Sequence, residues 1–122
     1  MKEATLQTAA KRALERAGAY VENNHGSAHG SGRPDLSGCL QGLYFGFELK
    51  RPDRPRKGTV LQEHVLAQIR LAGGWAGVIN NLDQISDIIR RWPFVCRHCL
   101  GSLERLGEAG LWCPACKKEH NG

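Results

Sequence analysis

The sequence predicts a mixed α/β domain followed by a small metal-held module. Three observations predict it. Apolar residues recur at helical spacing near the start and again after Thr59, and short runs between and after them alternate like strands. A pairing of strands across a turn, then a strand–helix–strand succession, calls for a sheet with antiparallel and parallel neighbours. Two CxxC pairs stand at the end, Cys96/Cys99 and Cys113/Cys116.

Glu3 to Ala17 reads as a helix, with Leu6, Ala10, Ala13, Leu14 and Ala17 at helical spacing and Gly18 as its stop. At about 100° per residue, Glu3 and Gln7 fall near the apolar face. Ala19 to Glu22 reads as a short strand. Asn23 to Gly32 is a Gly/Ser-rich loop. Asp35–Leu40 and Leu43–Lys50 read as a hairpin turning at Gln41-Gly42. In the second of these strands Leu43, Phe45, Phe47 and Leu49 share one apolar face. Tyr44, Gly46, Glu48 and Lys50 share the other. The loop from Arg51 to Lys57 carries four basic residues. A second helix opens at Thr59 and runs to about Ala72, with Leu61, Val65, Ile69 and Ala72 as its expected buried stripe. Gly73-Gly74 end it. Trp75–Ile79 is a strand and Asp83–Arg91 an amphipathic helix built on Ile85, Ile88 and Ile89, closed by Pro93. The order is α-β-β-β-α-β-α, and Leu43 to Ile79 suggests a right-handed parallel crossover.

The chain has 122 residues, enough for one compact domain and a small appendage. The expected division is 1–91 for the main domain and 92–122 for the cysteine module. Net charge is +5, which favours an anionic partner. Residues 1–91 hold 13 Lys/Arg against 9 Asp/Glu, so the excess sits in the larger segment. No apolar run approaches the roughly 20 residues that span a bilayer. The N-terminus lacks a secretory pattern, so a cytoplasmic location is expected and the CxxC pairs read as metal ligands before disulfides.

The chemistry centres on Pro34-Asp35, twelve residues, then Glu48-Leu49-Lys50. Phosphodiester hydrolysis needs carboxylates to hold a cation near the phosphate, an oriented water, and positive charge for the transition state. Asp35 and Glu48, on neighbouring strands, can converge on one Mg²⁺ or Mn²⁺, an ion that takes hard oxygen ligands. The Leu49 carbonyl offers another oxygen. Lys50 projects from the same face as Glu48 and offers the charge.

The span from Glu3 to Ile89 resembles the VRR-NUC branch of the PD-(D/E)xK nucleases. The resemblance rests on Glu3, Gly32-Arg33-Pro34-Asp35, Phe47-Glu48-Leu49-Lys50-Arg51-Pro52, Gln62 and Gly73-Gly74. It implies a restriction-endonuclease-like αβββαβ core. It implies Asp35 and Glu48 as metal ligands, Lys50 as the catalytic lysine, Glu3 as an accessory acid of the metal site and Gln62 as an active-site residue. Stand-alone members look like structure-specific DNA nucleases, including resolvases of four-way junctions in phage-like settings. Branched DNA is thus the expected substrate, and symmetric cutting would need a homodimer. The cysteine tail is not part of the family pattern.

Each site residue also has a plainer reading. Asp35, Glu48 and Lys50 would otherwise be ion pairs on an open sheet face. Glu3 would complement the helix dipole. Thr59-x-x-Gln62 matches a capping box. Arg33, Arg51, Arg54, Arg56 and Lys57 flank the motif strands and read as DNA phosphate contacts, with a solvated loop as the alternative. His25 and His29 read as solvated loop residues, Tyr20, Trp75 and Trp92 as packing residues, and Cys39 as a small buried hydrophobe.

Two CxxC pairs separated by thirteen residues have zinc-ribbon spacing, and four thiolates close a structural Zn²⁺ site. So short a segment cannot bury its own core, so metal must supply its folding free energy. His98 and His120 are substitute ligands that four cysteines make unnecessary. Arg97, Lys117 and Lys118 would let the ribbon touch DNA backbone. The main expectation is a metal-dependent DNA endonuclease. The alternatives are a non-catalytic zinc-ribbon DNA-binding module and a protein-interaction adaptor.

Overall fold

The structure, a computed structural model, describes residues 2–24, 32–106 and 110–121. The elements follow the expected order: α1 (Glu3–Arg16), β1 (Tyr20–Asn23), β2 (Leu36–Leu40), β3 (Leu43–Leu49), α2 (Val60–Leu71), β4 (Trp75–Ile79) and α3 (Leu82–Arg91). The module adds β5 (Glu104–Leu106), β6 (Gly110–Cys113) and β7 (Lys118–Asn121), an antiparallel sheet that the sequence reading did not resolve into strands. The Gly/Ser-rich loop with His25 and His29 falls almost wholly outside the described residues.

The main sheet runs β1-β2-β3-β4. The first three strands are antiparallel neighbours and β4 joins β3 in parallel, so the sheet is mixed. The β2–β3 turn places Gln41 at φ 55° and Gly42 at φ 78°, the left-handed pair that matches strand twist. It sets the register that pairs Leu36 with Phe47.

One face of the sheet meets α1 and α3. Leu6, Ala10 and Leu14 pack with Leu36, Phe45, Phe47, Leu49, Ile85 and Ile88 in one buried cluster. Phe45 and Phe47 stack at 4.9 Å between centroids. Glu3 departs from expectation. It sits in the exposed first turn of α1, while Gln7 is buried and donates to Asn23 Oδ1 at 2.7 Å.

The other face carries α2 over β3 and β4. Its buried residue is Leu66, packed with Ile69, Ala76 and Val78. The expected stripe is therefore rotated: Leu61 and Ala72 are exposed and Val65 is half-buried. Gln62, Leu66 and Ile69 lie at i, i+4 and i+7, one helix face. Turning Gln62 toward the sheet takes Leu66 with it. Gly46 allows the close approach, since a Cβ there would lie 2.9 Å from both Ile69 Cδ1 and Pro34 Cγ. Over β1 and β2 no described helix covers this face. Tyr20 and Cys39, in register on adjacent strands, are both exposed, contrary to the expected packing roles. The edge strand β1 is four residues long, and no helix among the described residues lies above it on this face.

The core continues past residue 91. Trp92, Val95 and Leu100 belong to the same buried cluster as the main sheet. Trp92 Nε1 donates to Leu40 O and Trp75 Nε1 to Val95 O, each at 2.9 Å.

Candidate active site and cysteine centre

Asp35 stands where the chain enters β2, and Glu48 sits near the end of β3, on the face that looks toward α2. Glu48 is 3% exposed. Its Oε1 accepts from Gln62 Nε2 at 2.9 Å. Its Oε2 is buried and meets no donor among the described residues. Burial pushes the Glu48 carboxyl up to about 9, and the Asp35 carboxylate beside it pushes the same way. Lys50 works against the rise, and Glu3 adds to it by charge.

Asp35 is held by the Leu49 amide, which donates to its Oδ2 at 2.8 Å. Lys50 Nζ donates to Gln62 Oε1 at 3.2 Å. One amide side chain thus orients both the acid and the lysine. Gln62 also completes the capping box: its Oε1 accepts from Thr59 N at 2.8 Å and its N–H donates to Thr59 Oγ1 at 3.2 Å. The two readings of Gln62 describe one conformation, because the helix start that needs a cap is aimed at Glu48. Glu3, Asp35, Glu48, Lys50 and Gln62 therefore come to one end of the sheet, with Glu3 standing farther off.

The residues fit a divalent cation. A buried carboxylate oxygen without a donor beside a second carboxylate is an unfavourable arrangement unless a proton or a cation joins them, and a divalent cation would replace the proton. Every donor is a hard oxygen, the set Mg²⁺ and Mn²⁺ take.

The sequence reading missed Asn24. Its Nδ2 donates to Pro34 O at 2.8 Å and Ser37 Oγ at 3.0 Å, and its amide donates to Asp35 O at 2.9 Å. Arg33 Nη2 donates to Asn24 Oδ1 at 2.9 Å. These bonds pin the approach to Asp35. The available signal was an asparagine at a strand end, a residue that bonds nearby backbone.

The basic residues divide. Arg51 pairs with Asp53 at 2.7 Å on the surface. A cleft of about 720 Å³ is lined by Lys2, Arg51, Pro52 and Asp53, so Lys2 joins the set. Arg54 and Lys57 are exposed on the same loop. Arg56 points elsewhere, donating to Val78 O and Cys99 O at 3.0 Å each.

The four thiols gather within 4.8 Å of one another. Cys96 and Cys116 sulfurs are 3.8 Å apart, and those of Cys99 and Cys113 are 3.6 Å apart. A tetrahedral zinc with bonds of about 2.3 Å requires sulfur separations of about 3.8 Å. The two CxxC turns share one geometry. Leu100 and Lys117, each directly after the second cysteine, adopt φ of 63° and 55°. Leu100 N donates to Cys96 O at 2.8 Å and Lys117 N to Cys113 O at 2.7 Å. Amides of His98 and Cys99 point at Cys96 Sγ, and that of Cys116 at Cys113 Sγ. Such N–H groups stabilise thiolate ligands. The set fits zinc.

No family model matches the sequence, and no curated protein does. A solved structure described as a VRR_NUC domain superposes with a TM-score of 0.63 and 26% identity. The match covers 75% of this chain and 98% of that one. The chain therefore has the fold of the VRR_NUC domain it matches, extended by a C-terminal four-cysteine cluster whose geometry suits zinc.

Proposed function

We propose that the protein is a Mg²⁺- or Mn²⁺-dependent endonuclease acting on DNA, with branched DNA as its preferred substrate. The observation that carries this is the buried Glu48 Oε2, without a donor among the described residues, beside Asp35 and on the same Gln62 bridge as Lys50. The nuclease fold supports it, as does the resemblance of the motifs to structure-specific nucleases.

Asp35, Glu48 and the Leu49 carbonyl are the residues that would hold the cation, with Glu3 as an accessory acid. The cation, when bound, neutralises charge at the scissile phosphate and eases deprotonation of water. Asp35 is kept in place by the Leu49 amide, so its other oxygen stays available. Gln62 bonds both Glu48 and Lys50, donating to the first and accepting from the second. Lys50 presents its ammonium to the developing negative charge, where a fixed donor in a dry site acts most strongly. Lys2, Arg33, Arg51, Arg54 and Lys57 surround this end of the sheet and supply DNA-backbone contacts that do not depend on sequence, while Arg56 is taken up by the Val78 and Cys99 carbonyls. Two such sites in a homodimer would cut a four-way junction symmetrically.

The test is cleavage of labelled linear, flap, splayed and four-way-junction DNA with Mg²⁺, with Mn²⁺, and with neither. Lys50→Ala should lose at least about a hundredfold in rate while keeping its fold. Absence of cutting by folded, zinc-loaded protein, with salt-dependent DNA binding retained, would move the reading to the non-catalytic binding module.

A further inference from the structure

β4 is an edge strand of the described sheet, with outward carbonyls at Ala76 and Val78 that no strand among the described residues completes. Two arginines complete them. Arg70 Nε donates to Ala76 O and Arg97 O, each at 3.0 Å, and its Nη2 to His98 O at 3.2 Å. Arg56 Nε donates to Val78 O and its Nη2 to Cys99 O, each at 3.0 Å. Three consecutive carbonyls of the first CxxC turn are thus tied to the sheet edge by guanidinium forks. From the same turn Leu100 enters the core against Gly77, where a Cβ would lie 2.6 Å from Leu100 Cδ1. Arg97 lies over the Trp75 ring at 4.5 Å.

The carbonyls of residues 97–99 belong to the turn whose cysteines, Cys96 and Cys99, would hold the zinc. A zinc with four thiolates carries net negative charge, which suits the three arginines around it. On the other side, Arg56 belongs to the loop that joins Lys50 to α2. Asn80 Nδ2 fastens the same loop through Arg54 O at 2.9 Å. Three residues after Arg56, Thr59 caps α2 and fixes Gln62.

We infer that the first zinc turn braces the candidate nuclease site, with Arg56 and Arg70 as the positioning residues that couple zinc occupancy to the placement of Lys50 and Gln62. The site side of this coupling rests on the nuclease reading. The brace itself does not. Arg56 acts through the loop, and its guanidinium is committed to two carbonyls instead of to a phosphate.

The full zinc-loaded chain serves for the test. Amide hydrogen exchange over residues 51–62 and 75–79 is followed as a zinc-selective chelator removes the metal. Exchange there should rise at least about tenfold in step with zinc loss. Unchanged exchange after complete removal overturns the brace. Arg56→Met and Arg70→Met keep the alkyl stem, and each should release zinc about fivefold faster or more, with Arg56→Lys intermediate. Release at the wild-type rate overturns their role. If a variant fails to fold, the exchange arm on the wild-type chain decides. On cleavable DNA, Arg56→Met should lower kcat with KM unchanged. A raised KM with kcat intact makes Arg56 a phosphate contact and overturns the positioning role. A wild-type chain that cuts nothing ends the nuclease reading while exchange and zinc release still judge the brace.

Discussion

Glu48→Gln should make the zinc-loaded, magnesium-free protein more stable at pH 8. The acid sits near 4.5 in an open chain and about 9 in the fold. Between those values the folded state holds the extra proton, so stability falls as pH rises. At about 1.4 kcal/mol per unit, the whole interval sets a ceiling of about 6 kcal/mol. Glutamine removes the charge, keeps an acceptor for Gln62 Nε2, and can offer its amide N–H toward Asp35. It leaves that amide imperfectly placed, so a net gain of about 1–3 kcal/mol is expected, roughly 3–12 °C in Tm. The assay is thermal unfolding from pH 5 to 9 without chelator, because chelation would strip the zinc. The wild-type Tm should decline across that range more steeply than the variant's. Adding Mg²⁺ should raise the wild-type Tm and leave the variant's nearly unchanged. A variant less stable than wild type at pH 8, with the same pH slope, would refute the account of Glu48 as a strained, cation-seeking acid.

Three further outcomes are expected. Gln62→Glu retains the capping box, so its Tm at pH 6 should stay within about 3 °C of wild type, while cleavage falls at least about tenfold. Undiminished cleavage would make Gln62 a cap alone. Leu100→Ala empties the space beside Gly77 and should cost about 2–4 kcal/mol in denaturant unfolding. A loss below about 0.5 kcal/mol would show that the module does not share the core. Maleimide should label Cys39 first in zinc-loaded protein, with the other four thiols reacting after zinc removal, as read by mass spectrometry. Equal labelling of all five at the outset would contradict a metal-held cluster.

Much of the fold was legible because it is locally encoded. Gln41-Gly42 between alternating runs specifies a hairpin, and the apolar face of Phe45, Phe47 and Leu49 fixes which side of β3 meets α1 and α3. The opposite face announced the site, since Glu48 and Lys50 share it with no packing reason to be there. The misreadings have a common cause. Hydrophobicity alone marks a stripe of Leu61, Val65, Ile69 and Ala72 on α2, and the helix is turned instead by a polar residue, Gln62. Cys39 alternates into a strand and Tyr20 is an aromatic of the kind that usually packs, and neither cue tells whether a helix lies above. The ties of Arg56 and Arg70 to the cysteine turn span 43 and 27 residues and use backbone carbonyls, so no residue pattern marks them.

The edge strand β4 reads Trp-Ala-Gly-Val-Ile and is buried along its whole length. Cut from its cover, such a strand is a flat, uncharged template for pairing with other chains. A domain ended at Arg91 would lose Trp92, Val95 and Leu100 from its core and bare that edge at once. Such a fragment should collect in inclusion bodies, and the remedy is to extend the boundary past Cys116. The ribbon then serves as a solubility element for the domain that precedes it.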